Sequence, residues 1–380
     1  MKRRLRVVIG ALLAVEVLDE LVFGAREAAL PQIRAELEMS YVQVGLLLSA
    51  PLYASAVLEP VFGVLGDSRW RRVVVVGGGV ATAASLALAA GASSFFVLLL
   101  AFAVLYPADG AFVSLSQAAL MDVSPVERET NMTRWAIAGG IGAVAGPLLL
   151  LAFLTLGLGW RELFAAFAVL ALVLALLVAW SRAAVRPSHE RPSVRATARA
   201  FRRPFVVRWL ALLELADLML DVLLGFVALY LVDEVAASDE VGSLGVAVWT
   251  GAGLAGGVVL IALLRRVDGL RYLRASALAA LALYPAFLLA PGVAAKLVLL
   301  ALLGLITAGW YSIPKARLYE ALGRQSGAAM AFGSVAGIVG SVFPLAVGIA
   351  AAEFGLGAAM WLLLAAPMAL LVGTPRPQSA

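Results

Sequence analysis

Apolar runs of about 20 residues recur along the whole chain, starting near residues 6, 41, 73, 96, 134 and 162 and again near 207, 241, 274, 296, 326 and 355. Each is long enough to cross a hydrocarbon layer of roughly 30 Å. In lipid only helices and closed barrels satisfy every backbone N–H and C=O, and the runs lack the period-2 alternation of barrel strands. The pattern therefore predicts an all-α membrane protein of twelve transmembrane helices. Composition agrees, with 63% of the 380 residues hydrophobic, 14% charged and a mean hydropathy of +0.99, where soluble domains sit near half apolar and a quarter charged. The first run carries Glu16, Asp19 and Glu20 with no small-residue cleavage site behind it, so it is expected to remain as a helix and not to be removed as a signal.

The absence of cysteine excludes disulfides and thiolate chemistry, and a single histidine, His189, excludes a multi-histidine metal site. No cofactor or metal is implied. The pI of about 9.7 does not mark a nucleic-acid binder, because the basic residues lie in short pieces between apolar runs. Most of them, from Lys2, Arg3, Arg4 and Arg6 through Arg69, Arg71, Arg72 and Arg134 to Arg265, Arg271 and Arg324, fall on one side of the predicted topology, against Arg34, Arg161 and Lys296 on the other. The positive-inside rule then puts both termini in the cytoplasm of a cell membrane.

The Arg-, Pro- and Ser-rich middle of the chain reads as a cytoplasmic linker, residues 181–205, between six-helix bundles at 1–180 and 206–380. At an offset of 201 residues Glu16 falls on Asp217, Glu20 on Asp221, Gly24 on Gly225 and Asp67 on Asp268. These coincidences predict two six-helix repeats around a central cavity, an arrangement that points to transport.

Charge inside the membrane sits in every third run. The first has Glu16, Asp19, Glu20, Arg26 and Glu27, the fourth Asp109, the seventh Glu214, Asp217 and Asp221, and the tenth Lys315, Arg317 and Glu320. Such residues cost a few kcal/mol or more unless they face protein or water, so these helices are expected to line the cavity while the third, sixth, ninth and twelfth face lipid. Glu16 and Glu20, like Glu214, Asp217 and Asp221, fall on one helix face. Carboxylates gathered in a low-dielectric cavity suit proton carriage or cation capture, and their excess over bases favours a cationic solute. The competing reading pairs them structurally with Arg26, Lys315 or Arg317. Lys315, one of only three lysines, can lose a proton where arginine cannot, or it snorkels to the surface.

At Gly63, Leu65, Gly66, Asp67, Arg69, Arg71 and Arg72 the loop after the second run resembles the signature loop of the major facilitator superfamily, departing from it at Ser68 and Trp70. Ala29, Leu30, Pro31, Ile33, Ser40, Tyr41, Gln43, Gly45, Leu46 and Pro60 resemble the drug and proton antiporter branch, particularly fosmidomycin-resistance-type exporters. Gly142, Gly146 and Pro147 are similar to that branch's antiporter motif, although small residues there also serve plain close packing. The resemblance implies the major facilitator fold, proton-coupled efflux, and a conformational latch at Asp67 with Arg71 and Arg72. One departure bears on coupling. The arginine that such exporters carry four residues before a glycine of the fourth helix is replaced by Tyr106, ahead of Gly110.

The expectation is a proton-coupled exporter of a small amphiphilic or cationic compound, with Glu16, Glu20, Asp217 and Asp221 as the exchange site, acting as a monomer by alternating access. The alternative is an uncoupled or import-direction carrier of a metabolite or lysolipid, which the missing arginine favours. A membrane enzyme lacks a nucleophile with a base, and a sensor lacks a signalling domain.

Overall fold

The computed structural model describes residues 2–66, 68–123, 128–181, 203–322 and 337–375, and among them every regular element is helical. The first six helices are α1 (Lys2–Glu36), α2 (Tyr41–Gly66), α3 (Arg71–Ala90), α4 (Phe95–Val123), α5 (Arg128–Thr155) and α6 (Trp160–Ser181). The others are α7 (Pro204–Glu234), α8 (Asp239–Leu263), α9 (Gly269–Leu289), α10 (Val293–Leu318), α11 (Gly337–Phe354) and α12 (Leu356–Gly373). Among the described residues eleven of these are long and apolar enough to cross a membrane. The twelfth, α1, has 35 residues, about 52 Å of helix, and differs from the others in the charges at its middle, Glu16, Asp19 and Glu20.

The chain divides into two compact units, Met1–Met39 with Leu47–His189, and Ser40–Leu46 with Glu190–Ala380. The first turns of α2 thus belong to the second unit, where the Tyr41 hydroxyl donates to Asp233 at 2.9 Å. The linker expected at 181–205 lies almost wholly outside the described residues, as does the start of the eleventh span.

In the first unit α3 packs on α4 and α6, and α1 on α5, α6 and α4. In the second, α9 packs on α10 and α12, and α7 on α12 and the second half of α10. Four pairings, α1–α4, α1–α6, α3–α4 and α3–α6, therefore recur six helices later. The helix ends are tied in the same way: Arg72 near the start of α3 donates to Ala179 O at the end of α6 (2.7 Å), and Arg274 near the start of α9 donates to Thr374 O after α12 (3.1 Å). An arginine satisfies last-turn carbonyls that have no intrahelical partner. At the other end of the first unit Trp160 and Arg161 both donate to Glu36.

The apolar side chains divide as a lipid solvent requires. Phe102, Phe112, Trp160 and Phe164 are fully buried in the first unit, while Val169, Val173, Leu176 and Trp180 leave α6 exposed. α8 also exposes Val258, Val259 and Ile261. The most enclosed span is α7, with 72% of its apolar window buried against 28–44% for the other ten.

α12 tightens into a 3-10 stretch at Met360–Leu364, and α7 and α10 depart further from regular α geometry. α7 widens into π turns at Leu218–Val222 and Tyr230–Glu234, features that recur at functional sites. α10 breaks between Val293–Thr307 and a second segment that begins at Ser312. Pro314 has no N–H to continue the ladder there. The neighbouring α9 stabilises the break, since the Tyr272 hydroxyl donates to Ile306 O (2.8 Å) and buried Trp310 donates to Ser276 Oγ (2.9 Å).

Candidate functional site

The charged middle of α1 is set by how closely α5 approaches it. Gly139, Gly142 and Gly146 turn their bare faces to α1: a Cβ at Gly142 would lie 2.5 Å from Val17 O, one at Gly139 would lie 2.6 Å from Glu16 Oε1, and Gly146 abuts Leu21 and Ala25. From the other side a Cβ on Gly24 would stand 2.7 Å from Ala143 O and 2.9 Å from Pro147 Cδ. The antiporter-like glycines are thus a close-packing seam. They place Glu16, which is buried and accepts from the Trp135 side chain, and Glu20 against α5.

One helical turn on, the opposite side of α1 faces α4. There the carboxyl groups of Asp19 and Asp109 hydrogen-bond to each other, a contact in which one of the two must donate. Glu16 and Glu20 stand near enough to act on Asp109 electrostatically. Both aspartates line a cavity of about 210 Å³ inside the first unit, together with Phe23, Arg26, Ser55, Tyr106 and Ser114. Arg26 is only 3% exposed and pairs with the adjacent Glu27, itself buried. Its guanidinium also lies 4.9 Å from the Tyr106 ring and 5.3 Å from the Phe23 ring, a cation–π setting. Tyr106 occupies the place where the sequence comparison lacked an arginine. α1 supplies a guanidinium beside that place.

In the second unit the carboxylates of α7 are Glu214, Asp217 and Asp221. Glu214 accepts from the backbone N–H of Gly340, and Asp217 lies within electrostatic reach of both other acids. Asp221 sits inside the first π turn and is exposed. The bases of α10 do not join this group in the contacts described. Lys315 donates to the Tyr311 hydroxyl one turn earlier and lies over its ring. Arg317 bonds Glu320 at 2.9 Å and stands 3.9 Å from Asp268.

Asp67 lies outside the described residues, and of Gly63 and Gly66 only the helical backbone is described. Arg71 is buried, whereas Arg72 makes the tie to α6. The counterpart of Asp67 in the repeat is well defined: Asp268 caps α9, accepting from the backbone N–H groups of Leu270 (3.0 Å) and Arg271 (3.2 Å).

Sequence reasoning passed over Lys296 as an outside base. Its ammonium is buried and donates to Tyr230 Oη (2.9 Å), Phe287 O (2.7 Å) and Leu288 O (2.9 Å), closing the end of α9 beside a cavity of about 390 Å³. A lone lysine opening an otherwise apolar run was the available signal.

These features agree with the relationships of the chain. Residues 18–344 match the Major Facilitator Superfamily, and the chain belongs to that family. It is similar in fold to a bacterial homolog of the human lysosomal transporter Spinster in an inward-facing, unoccupied conformation, with 15% identity over 98% of this chain and 95% of that one and a TM-score of 0.79. The occupied form of that homolog gives 14% identity over 97% and 93%, with a TM-score of 0.75. A variant of the nucleoside transporter NupG gives 13% identity over 97% and 98%, with a TM-score of 0.81. No curated protein sequence matches the chain. The chain is a multi-pass membrane carrier of a small molecule and not an enzyme.

Proposed function

We propose that the protein is a proton-coupled exporter of a small amphiphilic or cationic compound, working by alternating access in a cell membrane with both termini in the cytoplasm. The observation that carries this reading is the hydrogen-bonded pair Asp19 and Asp109 on the wall of the first unit's cavity. Two carboxyls in contact hold a proton that a bound cation displaces, so solute and proton compete for one place. Glu16 and Glu20 beside the pair, and Asp217 and Asp221 in the repeat, extend the set. The guanidinium of Arg26 over Tyr106 supports coupling, because it restores a positive charge where exporters of this type keep one on the fourth helix.

The test is flux of labelled lipophilic cations in proteoliposomes under an imposed pH gradient. Uptake driven by an acid interior, and collapsed by a protonophore, is the expected result. Flux that equilibrates the solute but ignores the gradient would instead establish the second reading, an uncoupled carrier of a metabolite. That reading is favoured by the absence of an arginine from α4 itself and by the likeness in fold to a nucleoside transporter.

A further inference from the structure

The first unit's cavity has a second charged wall, of the opposite sign, to which a cationic solute offers no partner. Arg26 lines it with 3% of its surface exposed, and the adjacent Glu27 engages only one of its nitrogens, Nη2. Among the described residues, Nε and Nη1 of Arg26 and Oε2 of Glu27 are buried without a hydrogen-bond partner. A desolvated guanidinium with two idle donors is costly, because each unmet group has lost its hydration without replacement. The rings of Phe23 and Tyr106 offset this only in part, because an aromatic ring is a weaker acceptor than an oxygen atom.

Arg26 and Asp19 are seven residues apart on α1, two turns along the same face and about 10 Å in axial rise. The cavity touches both. Its wall therefore carries a carboxyl pair and, two turns along α1, an incompletely bonded cation with the rings of Phe23 and Tyr106 beside it. An amine alone would complete only one of these.

Resting on the carrier reading above, we infer that Arg26 docks an anionic group of the carried solute, which is therefore a zwitterion with its cationic end toward Asp19 and Asp109. The axial offset calls for charges several bonds apart, as in an ω-amino acid or a phosphate-bearing amine, and the aromatic walls accept an apolar body between them. An anion arriving here supplies acceptors to the idle donors, and its charge offsets that of its own amine, so little net charge enters the low-dielectric site.

The experiment uses the purified full chain in detergent with matched probes: hexylamine, 6-aminohexanoate and hexanoate, the corresponding phenylalkyl set, and phosphocholine with choline. Binding is read by tryptophan fluorescence and melting shift. In each set the zwitterion is expected to bind about tenfold more tightly than its amine, with the carboxylate and phosphate arms showing which anion is preferred. Arg26→Gln should erase that advantage, so that zwitterion and amine bind alike, whereas Arg26→Lys should keep part of it. If Arg26→Gln fails to fold, the double variant Arg26→Gln/Glu27→Gln removes the ion pair as a neutral unit and reports the same loss. Equal binding of amine and zwitterion, an advantage that survives loss of the guanidinium, or binding of none of the probes would overturn the anion subsite. Liposome flux separates this from the carrier reading: a transported amine with no zwitterion preference removes the subsite alone, whereas zwitterion binding without flux keeps the subsite and removes the carrier.

Discussion

At the scale of residues the account turns on Asp19 and Asp109, which reach each other from α1 and α4 across a small cavity. Replacing one with an amide leaves a side chain of the same shape that donates and accepts but cannot release a proton. Asp109→Asn is therefore expected to reduce gradient-driven flux by about tenfold while gradient-independent solute binding persists, as measured in paired flux and melting experiments. Both aspartates were legible in the sequence, because a carboxylate in an apolar run is costly and conspicuous. Their contact was not, since it depends on the rotation of two helices whose order in sequence says nothing of which faces meet. For the same reason Arg26 stood out as a charge, but its setting among Phe23 and Tyr106 and its idle nitrogens belong to packing. Lys315 and Arg317 show the converse: conspicuous in sequence, they engage neighbours on their own helix and Asp268.

At the scale of elements, the seam between α1 and α5 positions the acidic stripe. Gly146→Ala would put a methyl group against the α1 backbone at Leu21 and Ala25, neither of which can move as a flexible side chain would. The expected cost is about 1–3 kcal/mol of overpacking, read as a lowered melting temperature in detergent and, because Glu16 and Glu20 ride on the same helix, as weakened coupling. Small residues three and four apart are visible in any sequence, and here they marked the contact correctly. The π turns of α7 and the break in α10 were not visible. Pro314 hinted at the second, but the carbonyl of Ile306 is satisfied by Tyr272 on another helix, a long-range compensation that local pattern cannot disclose.

At the scale of the whole molecule, length and hydropathy were enough to give twelve helices, because lipid leaves so few ways to satisfy a backbone. The helix that an apolar criterion omits is α1, the one that carries the charges. The repeat was legible from four coincident positions and reappears in the pairing of helices and in the matched ties of Arg72 and Arg274. Orientation is open to a clean test, because the chain has no cysteine of its own. Single variants Ser93→Cys and Ala236→Cys should react with an impermeant maleimide added outside intact cells. Ser68→Cys and Gly269→Cys should react only after permeabilisation, and the reverse pattern would invert the topology.

The most direct measurement of the central claim is proton release from the purified protein in weakly buffered detergent when a transported solute is added. The account predicts protons released on binding, fewer of them in Asp19→Asn or Asp109→Asn, and fewest in the double variant. A solute that binds, shown by a melting shift in the same sample, yet releases no protons anywhere between about pH 5.5 and 8, a range that brackets neutral conditions, would contradict proton exchange at this site.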